Sequence, residues 1–470
     1  AQAASAQDTA ARAGHHSAPK ASIEGRVPRR GRSAMSVIAA WKVGVACMIP
    51  LLTQHCAVFG SKLASTGNMR AVGMGAASVG SADNVTDAAL WNLSGTAAPV
   101  CTGVDIGDWA GDWQGYYAVG EGEWKWGGAV SLNGRIYAMP LNALSMLVYD
   151  PASGQINSVD TSPAGVGKWK WWSGVAFDGK IYGVPLSAAN LLVYEPSSGQ
   201  VIGVDITHVD SGMYSWGAAA VLDGKIYGVP FRASKLLVYD PASGKATGVS
   251  TSPWTGGMTK WGSAVALGGK LYGVPRDSPR MFVYNPTSGN LTFVDVSAVA
   301  AHGDKWGGAV AFGGKLYAMP LKASCILVYD PASGQVSGVG TSAVSTWGGP
   351  KWLGAVAFGD TIYSAPHGED SLLVYRPASG QVAGVETARV ESGGEKWAGV
   401  VAVGDKIYAT PASASRILVC DAIPAAHRAE GRSSNHSRPS PQAEARSSKR
   451  SPTSGSIIAL VTLLVGPLAM

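Results

Sequence analysis

Short apolar runs rich in β-branched and aromatic residues alternate with polar or glycine-rich turns along most of this chain, on a fixed period. A tryptophan recurs at Trp126, Trp171, Trp216, Trp261, Trp306, Trp352 and Trp397, every 45 residues apart from one gap of 46. Eleven residues after each comes a tyrosine: Tyr137, Tyr182, Tyr227, Tyr272, Tyr317, Tyr363 and Tyr408. Within one unit, Lys125–Thr161, four runs have strand character: WGGAVSL, RIYAMP, MLVYD and QINSVDT, here strands A to D. Asn133-Gly134 joins A to B, and Asp178-Gly179, Asp223-Gly224, Gly268-Gly269 and Gly313-Gly314 take its place later. Such pairs tolerate φ > 0 at both positions and signal type I′ hairpins. Pro-Ala-Ser-Gly joins C to D at 151–154, 241–244 and 331–334. Strand A is built of small residues (Gly127, Gly128 and Ala129 in the first unit), as suits an innermost strand crowded around an axis. The period and its contents predict an all-β fold, a seven-bladed β-propeller with four antiparallel strands per blade.

The ends of the array predict how it closes. The seventh unit stops after Ile417–Asp421 with no strand D, while a lone D-like run, VCTGVD at 100–105, precedes the first unit. The N-terminal strand therefore completes the last blade and removes the open edges. Cys420 stands where the other units have Tyr149, Tyr194, Tyr239, Tyr284, Tyr329 and Tyr375, and Cys101 where they have an aliphatic residue such as Ile156. A four-residue C–D turn pairs Tyr149 with Ile156, so the same register sets Cys101 opposite Cys420. Directly opposed Cβ atoms lie about 4.5–5.5 Å apart, near disulfide range. A Cys101–Cys420 bridge is expected, and with it an oxidising compartment.

The string GKIYGVP followed by LLVYDPASG, at 224–230 and 236–244, resembles the repeats of seven-bladed propellers of the kelch and quinoprotein-like kind. The resemblance covers about two-thirds of the chain and implies the propeller fold. In the kelch pattern a Gly-Gly pair ends the second strand, before Tyr and then Trp. Here Trp comes first and Gly-Gly lies in strand A, so no enzyme residues carry over.

In such a blade the A–B and C–D turns share one face, and the B–C and D–A loops share the other. The first set hardly varies between units, whereas B–C reads LNALS, LSAAN, FRASK, RDSPR, LKASC, HGEDS and ASASR. Varied loops on a rigid scaffold are where binding concentrates, so the B–C/D–A face is the expected functional face. It also carries Lys125-Trp126, Lys170-Trp171, Lys260-Trp261, Lys305-Trp306, Lys351-Trp352 and Lys396-Trp397; the third unit has Ser215-Trp216. One reading is scaffold: each Trp wedges between blades and each Lys is a solvated flank. The other is a ring of six ammonium groups at the channel mouth that focuses field on an anion, with Trp faces stacking on the sugars of a sulfated or phosphorylated glycan. His367, in the most polar B–C loop (His367-Gly368-Glu369-Asp370), is a further candidate ligand-binding residue, but partners for a metal are not evident around it. Asp105, Asp160, Asp205 and Asp295 recur at the end of strand D, which favours a turn cap over catalysis.

Composition alters the picture mainly at the termini. The net charge of +6 does not belong to the array, where 22 Lys/Arg stand against 25 Asp/Glu from Val100 to Asp421. The basic excess lies in the tails, and a nucleic-acid partner is not expected. Residues 1–34 read as a disordered basic region, and 35–58 as a signal peptide or signal anchor; an organellar transit peptide is the alternative. Residues 59–99 read as a linker, 100–421 as the propeller and 422–456 as a disordered Ser/Arg/Pro-rich linker. The apolar tail 457–470 has features of a cleaved lipid-anchor signal, so membrane attachment through a terminus is an option. In the secretory pathway Asn84, Asn92, Asn290 and Asn435 would be glycosylation acceptors. The expectation is a non-enzymatic module, secreted or surface-tethered, that recognises a glycan, an anionic ligand or a protein on the B–C/D–A face without a cofactor. A metal-dependent hydrolase or lyase at the channel is the alternative.

Overall fold

A four-stranded sheet leaves two edges of unpaired N–H and C=O groups, and the physical question is what covers them. The computed structural model describes residues 99–107, 124–251 and 259–423. Blade one consists of Trp126–Leu132, Arg135–Pro140, Ser145–Asp150 and Gln155–Asp160, hydrogen-bonded in the order A-B-C-D. Five more blades repeat this order, and the seventh takes Trp397–Val403, Lys406–Pro411 and Arg416–Asp421, with Cys101–Asp105 as its fourth strand. Strand A of each blade packs on strand A of both neighbours, including Trp126–Leu132 on Trp397–Val403, so the ring is closed. The small residues of strand A permit this approach: a Cβ at Gly399 would run into the backbone of Gly128 and Ala129 in blade one.

The hairpins follow the sequence reading. Asn133-Gly134, Asp178-Gly179, Asp223-Gly224, Gly268-Gly269 and Gly313-Gly314 all have positive φ at both positions, as type I′ turns require. Asp105, Asp160, Asp205 and Asp295 cap turns, each carboxylate accepting the amide N–H two residues on at 2.8 Å.

The repeated tryptophans hold each blade together from within. All seven are 0–4% exposed. Each indole N–H donates to the carbonyl of the residue that opens strand C of its own blade, at 2.8–3.1 Å. A β-bulge follows the Trp in the A–B pairing, as at Trp171/Ser173, and lets the large ring turn inward.

The repeated tyrosines join blade to blade. The strand-B tyrosine of one blade meets the strand-C tyrosine of the next: Tyr137–Tyr194, Tyr182–Tyr239, Tyr227–Tyr284, Tyr272–Tyr329, Tyr317–Tyr375 and Tyr408–Tyr149, with centroids 5.7–6.1 Å apart. Six boundaries are built this way. At the seventh, between blades six and seven, Tyr363 shares its cluster with Cys420 and Cys101 instead. Its hydroxyl accepts the Ile423 amide at 2.8 Å, and burial pushes the phenol pKa up. Cys101 pairs with Cys420 in register, and the two are joined as a disulfide with Cα atoms 4.1 Å apart.

Asn290 opens strand D of blade four and is exposed. The segments 1–34 and 35–58, the 59–99 linker up to residue 98, residues 424–456, the 457–470 tail, and Asn84, Asn92 and Asn435 lie outside the described residues.

Candidate functional site

The recurrent lysines occupy a different place from the one a solvated ring requires. Lys170, Lys260, Lys305, Lys351 and Lys396 are buried at 0–3% exposure, and Lys125 is half-buried. Each sits on a blade boundary. Its amide N–H donates to the first B–C carbonyl of the preceding blade, and its carbonyl accepts from the first B–C amide of its own blade. The donated bonds are 2.6–3.0 Å in all seven blades, with Ser215 filling the position in the third.

The ammonium groups turn inward to carbonyls of the B–C and D–A loops. Lys170 Nζ donates to Ala143 at 2.6 Å, Gly167 at 3.2 Å and Leu141 at 3.3 Å. Lys305 Nζ donates to Arg276 at 3.0 Å and His302 at 3.1 Å, and Lys260 Nζ to Ala233 at 2.7 Å. An ammonium has three donors and no acceptor, which suits a pocket of inward carbonyls. Burial pulls the pKa of Lys170 and Lys305 down to about 8 and also lowers Lys125, Lys260 and Lys351. Ser215 has a shorter reach: its single O–H has Gly212 O and Asp210 Oδ1, both in its own D–A loop, as acceptors at 2.9 Å.

Two expectations are corrected by this placement. The lysines are neither solvated flanks nor a solvent-facing cationic ring, because burial and carbonyl contacts enclose them. The faces of Trp126, Trp171, Trp261, Trp306, Trp352 and Trp397 do not stand open to a sugar, since the rings are interior and each has its own lysine Nζ 5.5–5.9 Å from its centroid.

The axial mouth is lined by the neighbours of these residues. Trp124 and His367 belong to blades one and six, which are not adjacent, yet their ring centroids are 4.8 Å apart; both rings therefore lie at the axis. From Trp124 the aromatic contacts continue to Trp172 at 5.2 Å and to Trp169 at 6.3 Å, then from Trp169 to Tyr214 at 6.1 Å. The Arg232 guanidinium lies 4.7 Å from the Tyr214 centroid. Trp124 donates its indole N–H to Glu395 at 2.8 Å.

Trp169 and Tyr214 hold φ of 56° and 60°. Asp304 and Glu395, at the same position of blades five and seven, hold φ of 53° and 56°, so the left-handed backbone belongs to the repeat and the blades differ in the side chain presented there. It is held by B–C loops: the amides of Trp169, Tyr214 and Trp124 donate to Asn142 Oδ1 (2.8 Å), Ser187 Oγ (3.2 Å) and Ser413 Oγ (3.1 Å).

The other side of the mouth is ionic. Asp304 takes the corresponding position and accepts from Arg276 Nε at 2.6 Å and Lys322 Nζ at 2.8 Å. Burial pushes its carboxyl pKa up, but the two cations outweigh it and the net shift is downward. Its amide donates to Asp277 at 2.8 Å, and Asp277 accepts from Thr259. Arg276 also covers the Phe231 ring.

His367 begins its B–C loop where other blades have Leu141, Leu186, Phe231, Arg276, Leu321 and Ala412. It is buried, with Nδ1 3.2 Å from the Trp397 carbonyl. Burial lowers its pKa to about 4, so the imidazole is neutral at physiological pH. Among the described residues no group of three or more His, Cys, Asp or Glu stands together as a metal site.

Sequence reasoning missed Trp124, Trp169, Trp172 and Tyr214. The signal was present one residue before the lysine, where the units read Trp, Trp, Tyr, Thr, Asp, Pro and Glu.

No protein-family model matches the chain, and no curated protein matches it. Solved structures do. A catalytically inactive virginiamycin B lyase from Staphylococcus aureus, with quinupristin, aligns with a TM-score of 0.56 at 12% identity over 69% of this chain and 100% of that one. A streptogramin B lyase aligns with a TM-score of 0.52 at 13% identity, over 69% and 98%. Selenomethionine virginiamycin B lyase gives 0.51 at 14%, over 64% and 96%. At these identities the likeness is one of fold: it supports the propeller, and the kelch or quinoprotein-like subdivision is not part of what it shows.

Proposed function

We propose that this protein is a binding module, secreted or held at the cell surface, that receives a glycan, an anionic ligand or a protein at the axial mouth of its B–C/D–A face. The aromatic arc from His367 through Trp124 and Trp169 to Tyr214 carries this reading, because the left-handed position before the lysine recurs around the ring while the side chain it presents changes, and blades one to three place half-buried aromatic rings there. The Cys101–Cys420 disulfide favours an oxidising compartment. The near-balanced charge of the array argues against nucleic acid.

The test is a screen of full-length protein from a secretory host against arrayed glycans, anions and extracellular proteins. Trp124→Ala combined with Trp169→Ala is expected to abolish binding. A ligand held equally well by that variant would place recognition elsewhere.

His367 supports a second reading, an enzyme with its site at the channel. A neutral imidazole at the mouth has the protonation state of a base or of a metal ligand. Stoichiometric Zn²⁺ or Ca²⁺ in purified protein, lost in His367→Ala, would favour it.

A further inference from the structure

Resting on the axial-mouth reading, we infer that the ligand is a neutral saccharide chain laid along the arc, one sugar ring per blade. The arc steps round the axis with the repeat: Trp124, Trp169 and Tyr214 occupy the same position in blades one, two and three. Successive rings are 6.3 and 6.1 Å apart and tilted by 49° and 47°. That tilt is close to the rotation of about 51° per blade in a seven-fold ring. A flat polycyclic ligand cannot lie on three surfaces each turned by half a right angle from the last. A chain of separate puckered rings, each rotated on its linkage, can. Sugar rings offer an apolar C–H face to an aromatic plane and direct hydroxyls to its edges. An edge partner of that kind is present in Glu395, which accepts the Trp124 indole N–H, while Arg232 covers one face of Tyr214.

Charge favours a neutral chain over a sulfated or phosphorylated one. The ammonium groups that would hold an anion face inward to carbonyls. Of the other cations of the mouth, Arg276 and Lys322 are paired with Asp304, and Arg232 lies over the Tyr214 ring. The arc itself carries Glu395 and Arg232, one charge of each sign. A protein partner would draw on a different set, the exposed Val166, Met213 and Trp347 of the D–A loops.

The experiment is calorimetric and fluorescence titration of the full chain from a secretory host. The probes are neutral oligosaccharides of two to six units (glucose, xylose, mannose and N-acetylglucosamine series) and a heparin-derived hexasaccharide. A neutral series is expected to quench tryptophan fluorescence, with affinity rising up to three or four units and little salt dependence. Trp169→Ala and Tyr214→Ala should each weaken it roughly tenfold, in the range of one stacking contact, while Tyr214→Phe retains binding. Thermal midpoints check that each variant is folded. Binding of the heparin fragment alone, lost in Trp169→Ala, overturns the neutral chain and leaves the axial-mouth reading standing. Binding of a neutral chain unchanged in both alanine variants overturns both. Absence of binding to every saccharide overturns the inference.

Discussion

Trp169 and Trp171 are two residues apart and serve opposite ends. Trp171 belongs to a framework present in every blade: its ring is buried and its indole N–H is bonded to the Asn190 carbonyl. Trp169 belongs to the rim, half-buried and left-handed, and only Trp124 matches it in residue type. Lys170, between them, faces the framework, with its ammonium beneath the loop that carries Trp169. The comparison teaches that chemical suitability for a ligand does not locate a ligand site. Lysine and tryptophan side by side look made for an acidic sugar, yet the pair recurs in six of the seven units, with Ser215 in the lysine's place in the third, and answers a need that recurs seven times, the joining of one blade to the next. A single ligand on the axis meets a place where the seven copies differ.

The largest effect should come from opening the framework at its seam. Replacing Cys101 and Cys420 by Ser releases a loop of more than 300 residues and is expected to lower stability by about 5–6 kcal/mol on the chain-entropy estimate. The pair Cys101→Val with Cys420→Tyr writes the repeat back into blade seven and offers Tyr363 the partner its counterparts have. It should recover about 0.5–1.5 kcal/mol of that loss, the worth of one aromatic pair. Denaturant midpoints measure both, and equal midpoints for the two variants would show that the tyrosine ladder contributes nothing at the seam. Next in size, Trp171→Ala should cost about 3–5 kcal/mol, as large-to-small changes in a packed core do. Trp169→Ala should stay within about 0.5–1 kcal/mol of wild type, since both residues carry a Cβ and the backbone strain is unchanged. Similar losses at the two positions would erase the distinction between framework and rim.

How much of this was legible follows the same division. The blade, its four strands, the type I′ turns and the closing strand were readable because each position could be compared with six others. The disulfide was readable because Cys101 and Cys420 depart from the repeat at two positions that one register brings together. The lysines were misplaced because the repeat shows that a residue recurs and is silent on which way a long side chain turns. That depends on the B–C carbonyls of the neighbouring blade, contacts about 27–29 residues away in sequence. The rim was missed for a related reason. Trp124 and His367 meet only when the ring closes, and nothing in the sequence order of blades one and six brings their rings within 4.8 Å.

The effect most specific to the lysine framework is its response to pH. The Lys170 and Lys305 ammonium groups lose their protons at about 8 in the fold, against about 10.4 in an open chain. Below pH 8 both states hold the proton, and the folded state bears the whole cost of burying the charge. Between 8 and about 10.4 the unfolded chain binds more protons than the fold, so stability must rise with pH. The tyrosines act the other way at the upper end. Burial raises Tyr137, Tyr182, Tyr227 and Tyr272 above their ordinary value, so unfolded phenols ionise first and stability falls once pH passes about 10. The optimum therefore lies on the alkaline side of neutrality, and the urea midpoint should climb from pH 7.5 to 9.5 by an amount on the order of 1 kcal/mol per lysine. Lys170→Met with Lys305→Met removes both titrations. It should flatten that climb while costing about 1–3 kcal/mol for each set of carbonyls left without a donor. A midpoint that falls between pH 7.5 and 9.5, or the same slope in the double variant, would show that the two ammonium groups are not held in the pockets described here.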